Sequence, residues 1–100
     1  MNARTKKNRV NEALRAESRA AKTLSHEIHG YAERPFRETH SAETLARYMT
    51  SRGFKVEFPW KNIPTAFRAI RGRGKPSIGM LGEYDSLPNC GAADGSWGHG

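Results

Sequence analysis

Leu, Ile, Val and Phe together fill only 15 of the chain's 100 positions, and this scarcity limits the possible folds more than any other feature. Fully burying one such side chain contributes roughly 1.5–3 kcal/mol, while ordering each backbone residue costs about 1–2 kcal/mol. The same chain carries 17 Lys+Arg against 10 Asp+Glu, a net charge of +7, so low apolar content coincides with high charge on the disordered side of the compositional range. A self-sufficient core is therefore not expected, and the length allows at most one small domain. No run approaches the roughly 18 apolar residues of a membrane span, and no apolar signal core follows Met1. A soluble, cytoplasmic chain is the expectation, with no membrane partner. Cys90 is the only cysteine, so no internal disulfide can form, and one sulfur with scattered histidines makes no structural zinc knot.

The charge is unevenly placed. Residues 1–22 hold Arg4, Lys6, Lys7, Arg9, Arg15, Arg19 and Lys22 against Glu12 and Glu17, whereas residues 76–100 hold no Lys or Arg but carry Glu83, Asp85 and Asp94. From Val10 onward, Val10, Leu14, Ala21, Leu24, Ile28 and Tyr31 recur at helical spacing, with a charged opposite face. The helix is expected to stop near Gly30, because Pro35 cannot continue it and disfavours helical geometry at Arg34. A solvated helix covering one side of a domain is the favoured reading. A basic nucleic-acid or membrane-surface helix is the alternative.

A second helix is signalled by Ser41 as N-cap, by Ala42, Leu45, Ala46 and Met49 on one face, and by Gly53 just past the end. Arg47 and Arg52 lie towards its C-terminus, where cations suit the dipole. Phe54 to Phe58 alternates strictly and reads as a half-buried strand ended by Pro59. Trp60 to Pro64 is turn-like, Thr65 to Arg71 reads as a second strand, and Ser77 to Gly82 as a third, more buried one. Between the last two, Gly72-Arg73-Gly74-Lys75-Pro76 reads as a hairpin turn rather than an RNA-binding Arg-Gly tail. Two helices followed by three strands suggest an α/β or α+β unit with a hairpin, and α/β is the class expected.

The chemistry concentrates after the third strand pattern, in Gly82-Glu83-Tyr84-Asp85-Ser86-Leu87-Pro88. Carboxylates at i and i+2 beyond a strand's carboxyl end lie where open α/β sheets collect ligands. Burying the pair demands a metal, a base or hydrogen-bond donors, and no Lys or Arg follows Lys75 to compensate it. The competing reading is an ordinary cap or turn. Asn89 to Gly100 reads as a loop of small and polar residues that does not close a domain.

Several blocks carry a resemblance to a known family. They are Ser25-His26-Glu27-Ile28-His29, Phe36-Arg37-Glu38-Thr39-His40-Ser41-Ala42, Gly53-Phe54-Lys55-Val56, Ile63-Pro64-Thr65-Ala66-Phe67-Arg68-Ala69 and Gly72-Arg73-Gly74-Lys75-Pro76, followed by Glu83-Tyr84-Asp85-Ser86-Leu87-Pro88. Together they resemble the N-terminal part of the zinc-dependent amidohydrolases of the aminoacylase and aminobenzoyl-glutamate hydrolase type, within the carboxypeptidase-like metallopeptidases (peptidase family M twenty). The last block is similar to that family's E-Y-D-A-L-P signature. The resemblance divides the chain into a basic helical extension, residues 1–23, and a partial catalytic domain, residues 24–100. It also implies that the chain stops before the metal-ligand motif H-x-C-G-H, of which His99-Gly100 matches the first two positions. Glu33-Arg34-Pro35 departs from the family's Pro-Glu-Leu, and the loop from Asn89 to Trp97 is longer than the commonest pattern, which favours the aminobenzoyl-glutamate hydrolase subgroup.

What the resemblance implies is metal-assisted amide hydrolysis, in which zinc lowers the pKa of bound water and a glutamate shuttles the proton. Asp85 matches the Asp that orients a metal ligand, and Glu83 stands where peptidase relatives place a ligand His; these two are the candidate catalytic residues. No metal ligand is assigned. Zinc or another divalent ion belongs to the full-length family and is not expected to bind this chain tightly. The implied substrate is a small N-acyl amino acid or an aminobenzoyl-glutamate-like amide. The implied assembly at full length is a homodimer, and nucleic acid is not the favoured partner. Cys90 reads as a plain loop thiol, and His26 and His29 as solvated helix residues. The chain is expected to be inactive alone. The rivals are a small basic nucleic-acid-binding or interaction protein and a partly folded, non-catalytic remnant.

Overall fold

A computed structural model describes all residues from Met1 to Gly100. Helix α1 spans Ala3–Tyr31, helix α2 Thr39–Ser51, strand β1 Lys55–Glu57 and strand β2 Arg68–Ile70. The Asn2 carboxamide caps α1 by accepting from Thr5 N–H at 2.8 Å. Twenty-nine residues at 1.5 Å rise give α1 a length of about 43 Å, most of the molecule's 52 Å long axis. The radius of gyration of 16.1 Å exceeds the roughly 13 Å of a compact 100-residue domain for the same reason. α1 runs through position 23 without a break and ends at Ala32, a non-glycine residue in the left-handed conformation at φ 46°, three residues before Pro35. No helix is long and apolar enough to cross a membrane.

The core is thin, as the shortage of large apolar residues requires. Eight residues are buried; the two hydrophobic ones are Ala42 and Ala46 on α2. Ala16, Ala20 and Leu24 of α1, spaced by four, line a groove with Tyr48 and Arg52 of α2. Polar contacts do the rest. The Arg52 guanidinium donates to both oxygens of Glu17 at 3.0 and 3.1 Å and lies over the Tyr48 ring, 4.5 Å from its centroid. Tyr48 OH donates to the same carboxylate. Hydrogen bonds from Arg52 and Tyr48 hold Glu17 below the usual carboxylate range. Residues 3–15 of α1 extend past these contacts and are exposed.

β1 and β2 form an antiparallel hairpin with Lys55 opposite Ile70, Val56 opposite Ala69 and Glu57 opposite Arg68. Opposite charges at the last pair meet at 2.9 Å between Arg68 Nη2 and Glu57 Oε1. Gly53, at φ 85°, ends α2 as the sequence predicts and turns the chain into β1. Arg71 then ties the hairpin to the helix by donating to the Arg52 carbonyl at 2.7 Å.

Three expectations need correction. The architecture is a mixed α/β fold with two helices and two strands, not three: Ser77 to Gly82 forms no strand and pairs with nothing, and Ile78, Met80 and Leu81 are 81, 96 and 96% exposed. A strand exists only where a neighbour supplies its hydrogen bonds, and no backbone bond reaches this segment. Gly72 to Pro76 therefore joins no two strands, although Gly72 and Gly74 take the positive φ of 89° and 87° expected of a turn. Finally, Ser41 is not the N-cap of α2. It lies inside the helix, and its buried hydroxyl has no partner.

Candidate functional site

The true cap of α2 comes from the linker. Glu33 accepts from His40 N–H at 3.0 Å through Oε2 and from Ser41 N–H at 2.7 Å through Oε1. His40 Nδ1 also lies 3.0 Å from Oε2; a carboxylate can only accept, so this ring nitrogen carries the proton. Burial pushes the Glu33 pKa up, but the backbone N–H bonds from His40 and Ser41 and the bond from the His40 imidazole outweigh it and lower it from its ordinary value. An anion at the positive end of α2 is also what the helix dipole favours.

This capped corner positions the acidic segment. Ser86 is fully buried; its N–H donates to the Glu33 carbonyl at 2.7 Å and its Oγ to the Ala32 carbonyl at 3.0 Å. Asp85 and Glu83 are thereby laid against the start of α2. On the other side, Tyr84 OH donates to the Thr65 carbonyl, and the Tyr84 ring stacks on Phe67 with centroids 6.3 Å apart. Burial, then the nearby Glu38 charge, raises the Tyr84 pKa, so the phenol stays protonated as a donor. Ser86→Ala should cost about 1 kcal/mol, the typical net value of one hydrogen bond. Chemical denaturation of the pair of proteins measures it, and an unchanged midpoint would show that the Ala32 bond contributes nothing.

The result is a shallow cleft of about 290 Å³ lined by Phe36, Glu38, Thr65, Glu83, Tyr84 and Asp85, among others. Both sequence-predicted site residues face it, Asp85 half-buried and Glu83 exposed. Glu38, 9% exposed, adds a third carboxylate that no feature of the sequence singles out. Such a rim can accept hydrogen bonds from cationic or N–H-bearing groups. The residues do not fit a zinc site, since no three His, Cys, Asp or Glu side chains come together to hold a metal ion.

Beyond the acidic segment, Leu87 and Gly98 exchange backbone bonds, N–H to carbonyl at 2.8 and 3.0 Å, which closes Asn89 to Trp97 into a loop. Cys90 is half-buried and free; its carbonyl accepts from Gly100 N–H at 3.0 Å. His29 is not merely solvated: its Nε2 lies 2.8 Å from the Gly100 carbonyl and its ring centroid 6.2 Å from that of His99. Arg34 covers the Trp97 ring at 4.6 Å. These contacts link residues about 70 positions apart, and no local pattern announces them. The importance of Glu33 has one sequence signal, the departure at Glu33-Arg34-Pro35, though nothing local reveals that its carboxylate reaches α2.

Comparison with known proteins adds the decisive observation. Over 78 residues the chain is 41% identical to a bacterial hydrolase component. That relative is a p-aminobenzoyl-glutamate hydrolase subunit of Escherichia coli (strain K12). The match takes in 78% of this chain but 16% of the hydrolase subunit, so the chain spans about a sixth of its relative's length. It supports a relationship to amidohydrolases over most of the chain. No family model and no solved structure matches.

Proposed function

We propose that this chain forms part of an amidohydrolase acting on p-aminobenzoyl-glutamate or a similar N-acyl amino acid. The observation that carries this reading is the 41% identity over 78 residues to the Escherichia coli p-aminobenzoyl-glutamate hydrolase subunit. The acidic cleft is consistent with it, because the segment most like the family signature is the one that Glu33, Ser86 and Tyr84 hold in place.

In this reading the chain contributes positioning groups. Asp85, half-buried and fixed beside Ser86, accepts a hydrogen bond from an imidazole N–H supplied by other polypeptide, and Glu83 borders the same space. The zinc that the family uses, its ligands and its general base would be held by residues other than these 100. The 100 residues alone are therefore inactive.

The test is a hybrid in which this chain's matching segment replaces that of the Escherichia coli hydrolase, assayed for release of p-aminobenzoate. Retained hydrolysis supports the reading, and a folded hybrid without hydrolysis sinks it. Within an active hybrid, Asp85→Asn should lower kcat by roughly 10- to 100-fold, the usual effect of losing a group that orients a ligand. It should also shift the pH profile and leave Tm unchanged. Equal turnover by both hybrids would remove Asp85 from the site. Hydrolysis by residues 1–100 with added zinc would overturn the claim that the chain lacks the ligands.

A further inference from the structure

The proposed function makes no use of the cations of α1. The sequence favours a helix lying over one side of a domain, yet α1 buries no residue and its first half extends past α2 into solvent. Along it, Arg4, Lys7, Asn11, Arg15, Arg19 and Lys22 follow one another at spacings of three or four. That spacing stacks them in one row down the helix. α2 meets the other side, at Ala16, Glu17, Ala20 and Leu24, so the row points away from the rest of the molecule. All six side chains are exposed. None of the five cations is in an ion pair, because the pairs present are His40–Glu33, Arg52–Glu17 and Arg68–Glu57. Arg52 satisfies Glu17 on the far side, and Glu12, the carboxylate beside the row, pairs with no cation.

We propose that this row binds the phosphate backbone of double-stranded nucleic acid without regard to base sequence. Arg4 and Lys22 are 18 residues apart, about 27 Å along the axis. Unpaired cations strung over that length suit a polymer of regularly spaced phosphates better than a single small anion. Asn11, within the row, supplies an amide donor of the kind that also contacts phosphate oxygens. Two other anionic partners fit less well. Single strands are gripped by stacking bases on aromatic rings, and residues 1–22 contain no aromatic residue. A helix that lies in a bilayer surface presents bulky apolar side chains opposite its cations, and between residues 3 and 22 Val10 and Leu14 are the only large apolar ones. The inference is independent of the amidohydrolase reading, since it involves neither the acidic cleft nor the hydrolase partner.

The experiment measures binding of the full chain to a fluorescently labelled DNA duplex of about 20 base pairs by anisotropy, from 50 to 200 mM salt. If all five cations engage phosphate, log K falls against log salt with a slope of about −4.5, which weakens binding about 500-fold over that range. Two double variants remove equal charge from different sides of the helix. Lys7→Gln with Arg15→Gln, in the row, should make the slope shallower by about 2. Lys6→Gln with Arg9→Gln, off the row, should leave it unchanged. Gln is as good a helix former as Lys or Arg, and all four positions are exposed, so circular dichroism and Tm should match the wild type in both. Equal loss of slope in the two variants overturns the inference, because net charge and not the row would then be the cause. So does failure to bind the duplex at 50 mM salt. Tighter binding to a single strand of the same charge, or to phosphatidylserine vesicles at equal phosphate, overturns it as well, since the occupant would then be of another kind.

Discussion

Gly98→Ala should unseat the C-terminal loop and lower Tm by about 5–15 °C. A β-carbon at position 98 would lie 2.5 Å from Gly91 Cα, 2.6 Å from the Cys90 carbonyl oxygen and 2.8 Å from Gly91 N. All three are backbone atoms, so no side chain can rotate away and the strands of the loop must part. Overpacking of this kind typically costs 1–3 kcal/mol, and 1 kcal/mol moves the Tm of a domain this size by about 4–8 °C. The paired bonds between Leu87 and Gly98 would go first, and with them the contact of His99 with His29. Loss of the His29–His99 nuclear Overhauser effect is the local readout. An unchanged Tm with the Leu87 amide still protected would show that the two glycines do not clasp in solution.

Glu33→Ala should be of similar size, about 2–3 kcal/mol. It removes the acceptor of two backbone N–H groups and one imidazole N–H at the start of α2. Loss of a cap alone costs about 0.5–2 kcal/mol, and hydrogen bonds to a charged partner contribute about 1.5–3 kcal/mol. The effect should depend on pH in a defined direction. Because the folded-state pKa lies below the 4.5 of the free side chain, the stabilisation is complete above that value and is lost as pH falls through the folded pKa. The gap between wild type and Glu33→Gln should therefore be widest near neutral pH and should shrink in acid. A gap that widened on acidification would contradict the carboxylate cap.

Both residues belong to the half of the structure that local pattern does not reveal. The helices, the end of α2 at Gly53 and the presence of strands β1 and β2 follow from periodicity and turn chemistry, which act over a few residues, whereas the hairpin expected around Gly72 to Pro76 is formed by β1 and β2 instead. The amidohydrolase resemblance is legible for the same reason, because it rests on short blocks in order. Ser41 misleads because Ser is a good N-cap in general, whereas here a carboxylate eight residues earlier takes the exposed N–H groups. Ser77 to Gly82 misleads because its apolar residues suit a buried strand, whereas pairing requires a neighbour that these residues do not have.

By itself, then, the sequence determined the placement of the helices, the thinness of the core and the acidic Glu83-Tyr84-Asp85 segment, all consequences of residue type at short spacing. Only the tertiary structure decided that Glu33 caps α2, that Ser86 and Tyr84 hold the acidic segment over a cleft shared with Glu38, and that the apolar residues from Ile78 to Leu81 are left exposed. Those outcomes depend on which donors and acceptors meet across separations from the 7 residues between Glu33 and His40 to the 54 between Ala32 and Ser86, and a hydrogen bond outside a regular element leaves no periodicity behind it.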